Sequence, residues 1–133
     1  MRHLVRREHS RAELARKLAP HAPSDEALHA VLDLLLSRRQ LSDERFAEER
    51  ARSLSRKYGA ARIRQDLKAR GVAEDIVARV SREGELERAR SILTRKYRHP
   101  ATTREERARR VRFLQGRGFS FEVVQSLVLR ADD

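Results

Sequence analysis

The groups in this sequence most able to do chemistry are guanidiniums. Thirty-one Lys and Arg stand against 20 Asp and Glu, a net charge of +11, and every cation except Lys17, Lys57, Lys68 and Lys96 is arginine. Two sets stand out: Arg56, Lys57, Arg62, Arg64, Lys68 and Arg70 in the middle of the chain, and Arg95, Lys96, Arg98, Arg107, Arg109, Arg110, Arg112 and Arg117 in its last third. An arginine presents its donors in a planar fork that fits carboxylate and phosphate alike. The chemistry on offer is anion binding, directed at phosphate backbones, anionic membranes or acidic protein surfaces. On a helix Arg109 and Arg112 share a face, as do Arg64 and Lys68.

Catalysis finds no foothold. His3, His9, His21, His29 and His99 are scattered, with neither metal-site spacing nor a cysteine in the chain to accompany them. The adjacent carboxylates Asp43 and Glu44, Glu48 and Glu49, and Glu105 and Glu106 lie among arginines, where intrahelical ion pairing is their ordinary role. Five glycines form no phosphate-cradling loop. No catalytic residue, cofactor or metal is expected. The lack of cysteine fits a reducing cytoplasm. The longest apolar run, Val31 to Leu36, is interrupted by Asp33 and falls far short of the roughly 20 residues of a membrane span. A cytoplasmic protein with no membrane partner is the expectation.

The elements that must position these cations are helices. Apolar residues recur at three-and-four spacing at Leu28, Val31, Leu32 and Leu35, at Ala47, Ala51, Leu54 and Tyr58, and at Ile76, Val77 and Val80. Ser10 with Glu13 and Thr103 with Glu106 have capping-box spacing, and Ser24, Ser42 and Ser120 precede helical patterns with acids in the first turn. Gly71 and Gly118 stand where a left-handed stop belongs, each followed by an apolar residue, Val72 or Phe119, placed to reach Leu67 or Leu114. The patterns predict nine helices, roughly 2–9, 11–19, 24–37, 43–57, 60–70, 74–82, 85–97, 104–116 and 121–131.

The chain also repeats itself. ARSLSRKYG and IRQDLKARGVAEDIVARV at 51–80 return as ARSILTRKY and VRFLQGRGFSFEVVQSL at 89–127, and Leu18, Leu67 and Leu114 mark a common register. Repeats too small to bury their own apolar faces stack and leave a long surface. The expected fold is all-α, with three tandem three-helix, helix-turn-helix-like repeats over 1–41, 42–83 and 84–133 in an elongated, curved array. By these thirds the net charge is spread: +3, +3 and +5. Of the six aromatics, Phe46, Tyr58 and Phe119 coincide with packing stripes or caps, and Phe113 and Phe121 are the candidates for base stacking.

The strings REHSRAELARKL and LSDERFAEERARSLSRKYGAARIRQDLKARGV, and the weaker third copy, resemble the RecX family of regulators of the recombinase RecA. The most specific parts are Ser10 to Leu14, Asp43 to Ala47, and Lys57, Tyr58 and Gly59 with Arg62, Ile63, Leu67 and Gly71. The likeness spans nearly the whole chain; the abbreviated N-terminus and the corner at Pro20 and Pro23 depart from it. It implies a non-enzymatic modulator acting in DNA repair, homologous recombination and the SOS response. Such a protein lies in the groove of the RecA filament on single-stranded DNA and suppresses ATP hydrolysis, filament extension and strand exchange. The partners implied are the RecA filament and, directly or through it, single-stranded DNA, and a monomer suffices for a groove. Physics alone also admits a helix-turn-helix DNA-binding protein with mainly non-specific phosphate contacts. Sequence-specific reading fits poorly, because the chain has no Asn and its Gln residues are scattered. An adaptor for another acidic partner has the same composition.

Overall fold

Polar caps start most of the helices. The computed structural model describes residues 7–129, which contain no strand. In order come α1 (Arg11–Leu18), a 3-10 turn (Ala19–His21), α2 (Asp25–Ser37), α3 (Asp43–Leu54), α4 (Ala60–Ala69), α5 (Glu74–Val77), α6 (Glu85–Lys96), α7 (Arg104–Gly116) and α8 (Phe121–Val124), which runs into a π turn (Gln125–Leu129). Ser10, Ser24, Thr103 and Ser120 each accept an N–H from the first turn of the helix they precede, and the Arg45 N–H reaches Ser42 Oγ at 3.2 Å. The capping box at Ser10 is complete. At Thr103 the box slips by one residue, because the Glu106 carboxylate takes the Thr102 N–H at 2.7 Å. That bond comes first among the causes holding Glu106 below the usual glutamate range.

Stops follow the expected chemistry at two places and depart from it at a third. Gly71 (φ 83°) and Gly118 (φ 88°) close α4 and α7; Val72 N–H returns to Leu67 O and Phe119 N–H to Leu114 O, both at 3.1 Å. These are Schellman closures. At the end of α2 the same position is held by Arg39, at φ 59°, with Gln40 N–H on Leu35 O at 2.9 Å. A side chain in this left-handed region is strained.

The expected helix 2–9 lies mostly outside the described residues, and residues 7–10 are not helical. α3 gives way to a turn after Leu54. The 74–82 helix stops at Val77, and the Val80 carbonyl accepts Arg64 Nη2 at 2.7 Å instead of continuing a ladder. Leu67 and Leu114 are fully buried, each contributing about 2–3 kcal/mol. Leu18 is only half-buried, because α1 ends there and the Pro20 turn follows. Leu14, one turn earlier, is the buried residue.

The chain divides into two compact units, residues 1–51 with 66–79 and residues 52–65 with 80–133. In the first, Leu14, Leu28, Leu32, Leu35 and Leu41 form a core flanked by Ala15, Leu18 and Ala22. An ionic network closes it: Arg70 donates to Glu13 at 2.6 Å and to Asp66 at 3.1 Å, Asp66 also receives both arms of Arg50, and Glu13 also receives Arg7. Burial alone would raise the Glu13 pKa, but the bonds from Arg7 and Arg70 outweigh it and hold it low. Asp66 is held low by Arg50 first. Buried His9 places Nδ1 3.0 Å from the Arg7 carbonyl and Nε2 3.0 Å from Lys17 Nζ. A carbonyl only accepts and an ammonium only donates, so the ring is neutral with its proton on Nδ1. Burial, then the Arg7 and Lys17 charges, lower its pKa from 6.5.

In the second unit Ala89, Ile92, Leu114, Phe119, Val124 and Val128 form the core, with Leu93, Val111, Phe113, Val123 and Leu127 packed against it.

Two outcomes follow for stability. A group whose folded pKa is lowered binds more protons unfolded, so its contribution is present at high pH and lost as pH falls. Urea midpoints will therefore decline below pH 6.5 through His9 and decline further below the ordinary carboxylate values as Glu13 and Asp66 protonate; His9→Gln will flatten the first decline, and an unchanged profile would remove His9 as its cause. Replacing the strained residue, Arg39→Gly, will raise stability by up to about 1 kcal/mol, read from the same titrations at neutral pH.

Candidate functional site: a basic aromatic strip

Charge is distributed by compact unit rather than by thirds of the sequence. The first unit carries 13 Lys and Arg against 12 Asp and Glu, a net +1; the second carries 18 against 8, a net +10. Pairing follows the same division. Among the described residues nine ion pairs lie in the first unit, against Arg90 with Glu87 in the second. Acids nearly balance cations in the first unit, whereas in the second cations are in large excess.

A backbone contact organises the second unit's cations. The first N–H groups at the start of α4 have no partners within the helix and must find them elsewhere. Gly59 N–H goes to Arg117 O at 2.7 Å, Ala60 N–H to the buried Glu85 carboxylate at 2.9 Å, and Ala61 N–H to Gly118 O at 3.3 Å. This requires bare backbone on both sides. A Cβ on Gly59 would meet the Gly118 carbonyl, and one on Gly118, already at positive φ, would meet the backbone and Cβ of Arg62.

The result is a row in which cations and rings alternate. Arg62 and Arg117 lie over Tyr58 at 5.0 and 5.3 Å from its centroid. Arg117 also lies over Phe113 at 5.2 Å, and Lys96 at 5.0 Å. Lys96 reaches Tyr97 at 5.8 Å, and Arg110 lies 4.6 Å from the same ring. Tyr97 meets Phe113 edge to face at 5.9 Å. Each ring's negative face attracts a cation, so the rings hold the charges in place without neutralising them. Two carbonyls add anchors: Arg62 Nη1 donates to Gly116 O at 2.9 Å and Arg110 Nη2 to His99 O at 2.7 Å. Glu106 acts on Arg110 electrostatically, and among the described residues no carboxylate lies within ion-pairing distance of these four cations.

Of the residues singled out from sequence, the strip brings together Arg62, Lys96, Arg110 and Arg117. Arg56, Lys57, Arg95, Arg98, Arg109 and Arg112 are exposed in the same unit, and Arg107 is half-buried there. Arg64 is bonded to Val80 O. Lys68 and Arg70 belong to the first unit and are paired with acids. Phe113 is half-buried within the row, while Phe121 is exposed outside it. Phe46 and Phe119 are buried, but Tyr58 is half-buried and carries two guanidiniums. Tyr58 and Tyr97 are the functional candidates that sequence reading missed. The signal was present in the echo: Arg56, Lys57, Tyr58 and Arg95, Lys96, Tyr97 are the same tripeptide.

Comparison with known proteins places this geometry in context. Residues 42–80 match the family model described as the second three-helix domain of RecX, and residues 83–128 match the third. A "Regulatory protein RecX" of Ralstonia nicotianae is 42% identical over 98% of this chain and 84% of its own length, and that of Neisseria meningitidis is 41% identical over 98% and 86%. The crystal structure of RecX from Lactobacillus salivarius superposes with a TM-score of 0.83 at 18% identity, covering 98% of this chain and 90% of that one.

The Gly59 and Gly118 contact should govern both stability and the strip. Gly118→Ala will cost roughly 2 kcal/mol or more, from strain at positive φ together with steric overlap, and will release Arg117 from Tyr58. Chemical denaturation and tyrosine fluorescence check this; wild-type values for both would show that the contact tolerates a methyl group.

Proposed function

Because the chain belongs to the RecX family of regulatory proteins, we propose that it modulates a RecA recombinase. It binds in the groove of the RecA filament on single-stranded DNA and suppresses ATP hydrolysis, filament extension and strand exchange. The observation that carries this reading is the concentration of +10 in one compact unit. A filament groove lined by protein and close to DNA phosphates is a long polyanionic site, and a unit with this field is drawn to it by salt-sensitive steering. The balanced first unit has no such field. The modulator needs no chemistry of its own, since occupancy of the groove is sufficient to oppose filament rearrangement. The same charge supports a second reading, non-specific binding to DNA without RecA, which the experiment separates.

ATP turnover by RecA on single-stranded DNA will fall when the protein is added below stoichiometry, and the protein will sediment with filaments. Turnover unchanged with no co-sedimentation would overturn the proposal, and a salt-resistant shift on a defined palindromic duplex would favour an operator-binding protein instead. Reversing two exposed charges, Arg109→Glu with Arg112→Glu, will raise the half-inhibitory concentration about tenfold, some 1.4 kcal/mol, with helicity unchanged by circular dichroism. Equal inhibition by this variant would show that these two arginines are solvated surface only.

A further inference from the structure

We infer that the row Arg62, Tyr58, Arg117, Phe113, Lys96, Tyr97, Arg110 is a binding site for the phosphodiester backbone of a single nucleic-acid strand, held without regard to its bases. The inference rests on the reading above only for the source of the strand; the site itself is defined by its geometry.

Three features of the row lead there. Exposed aromatic rings on basic surfaces ordinarily serve as platforms on which bases stack. Here each of the three rings already has two cations within 5.8 Å of its centroid, and Tyr97 and Phe113 also meet edge to face. A base stacking there would compete with these cations for the rings. The rings are supports for charge.

The second feature is the supply of donors. A guanidinium carries five N–H donors, and its attraction to a ring draws on its charge and needs no hydrogen-bond acceptor. Arg62 and Arg110 each give one Nη donor to a carbonyl, which fixes the side chain; the Arg110 Nε is buried, so the donors left to that residue are its remaining Nη hydrogens. Phosphate oxygens accept from such donors. The ordering entropy that long side chains lose on binding is already lost in the free protein.

The third feature is continuity. Successive cations share a ring: Arg62 and Arg117 share Tyr58, Arg117 and Lys96 share Phe113, and Lys96 and Arg110 share Tyr97. Neighbouring charges are therefore at most about 10 Å apart, close enough for nearby phosphates of one flexible strand to follow them. An acidic peptide could meet one or two of these forks. A polymer with a charge on every residue of its backbone matches the row.

The test uses the full chain and DNA without RecA. Anisotropy is measured with a labelled oligodeoxythymidine of about twenty nucleotides and with an abasic strand of the same length. The two will bind within about twofold of each other, with log affinity falling against log salt at a slope of about −3 for four contacts. Lys96→Gln with Arg117→Gln will reduce that slope by about 1.4. Tyr58→Leu will weaken both strands by the same factor, in a protein whose circular dichroism and urea midpoint show it folded. Binding of the abasic strand more than about tenfold weaker than thymidine would overturn the inference in favour of base stacking, as would a Tyr58→Leu loss confined to the strand with bases. Competition by polyglutamate equal to that by the abasic strand would overturn it in favour of an acidic peptide. Absence of binding to DNA alone would overturn it while leaving RecA inhibition to stand or fall separately, since that is read from ATP turnover.

Discussion

Much of the second unit depends on one meeting of bare backbones. The start of α4 needs partners for its first N–H groups, and it finds them in the loop that ends α7 and in the Glu85 carboxylate. At the buried Gly59 and Ala60 each bond satisfies a donor that would otherwise be left unpaired, at a cost of about 1–3 kcal/mol. The approach is possible only because neither Gly59 nor Gly118 has a side chain. Arg117 lies between these two requirements, its carbonyl bonded to Gly59 and its guanidinium over Tyr58 and Phe113. A helix start and an inner link of the cation row are thus fixed by the same residue.

The two units solve opposite electrostatic problems. In the first, Arg70 joins Glu13 and Asp66, and the capping serine Ser10 donates its hydroxyl to the Arg70 carbonyl at 2.9 Å. Cations there serve the fold. In the second, α7 carries a run of arginines with few acids beside them, and the rings, which attract cations without cancelling their charge, take the place of carboxylates. A surface built this way keeps its field, which speeds association with any oppositely charged partner.

Much of the fold was legible in the sequence because caps are local. Ser10, Ser24, Thr103 and Ser120, and the stops at Gly71 and Gly118, act over three to six residues, within reach of spacing arguments. Arg39 was not legible, since nothing in its type announces a left-handed conformation; only comparison with the two glycine stops suggests it. α5 ends early, and the Val80 carbonyl beyond it goes to Arg64, sixteen positions away, a bond that no periodicity encodes. The charge map failed for a similar reason. Thirds of the sequence average over residues 52–65, which carry five cations and no acid, and 66–79, which carry three of each. The cation row joins positions from 58 to 117, so its members could be named from sequence as basic groups but not connected. The repeated Arg-Lys-Tyr was the one trace of it.

The unequal distribution of ion pairs has a consequence for the protein in different media. Dissolved salt shortens the reach of every exposed charge interaction to a Debye length of about 8 Å at physiological strength. In the first unit this weakens attractions that help hold α1, α3 and α4 together. In the second it relieves self-repulsion among 18 cations that share 8 acids. One chain therefore contains two halves whose electrostatic contributions respond to ionic strength with opposite sign, and the salt that screens the second unit's outward field also steadies that unit.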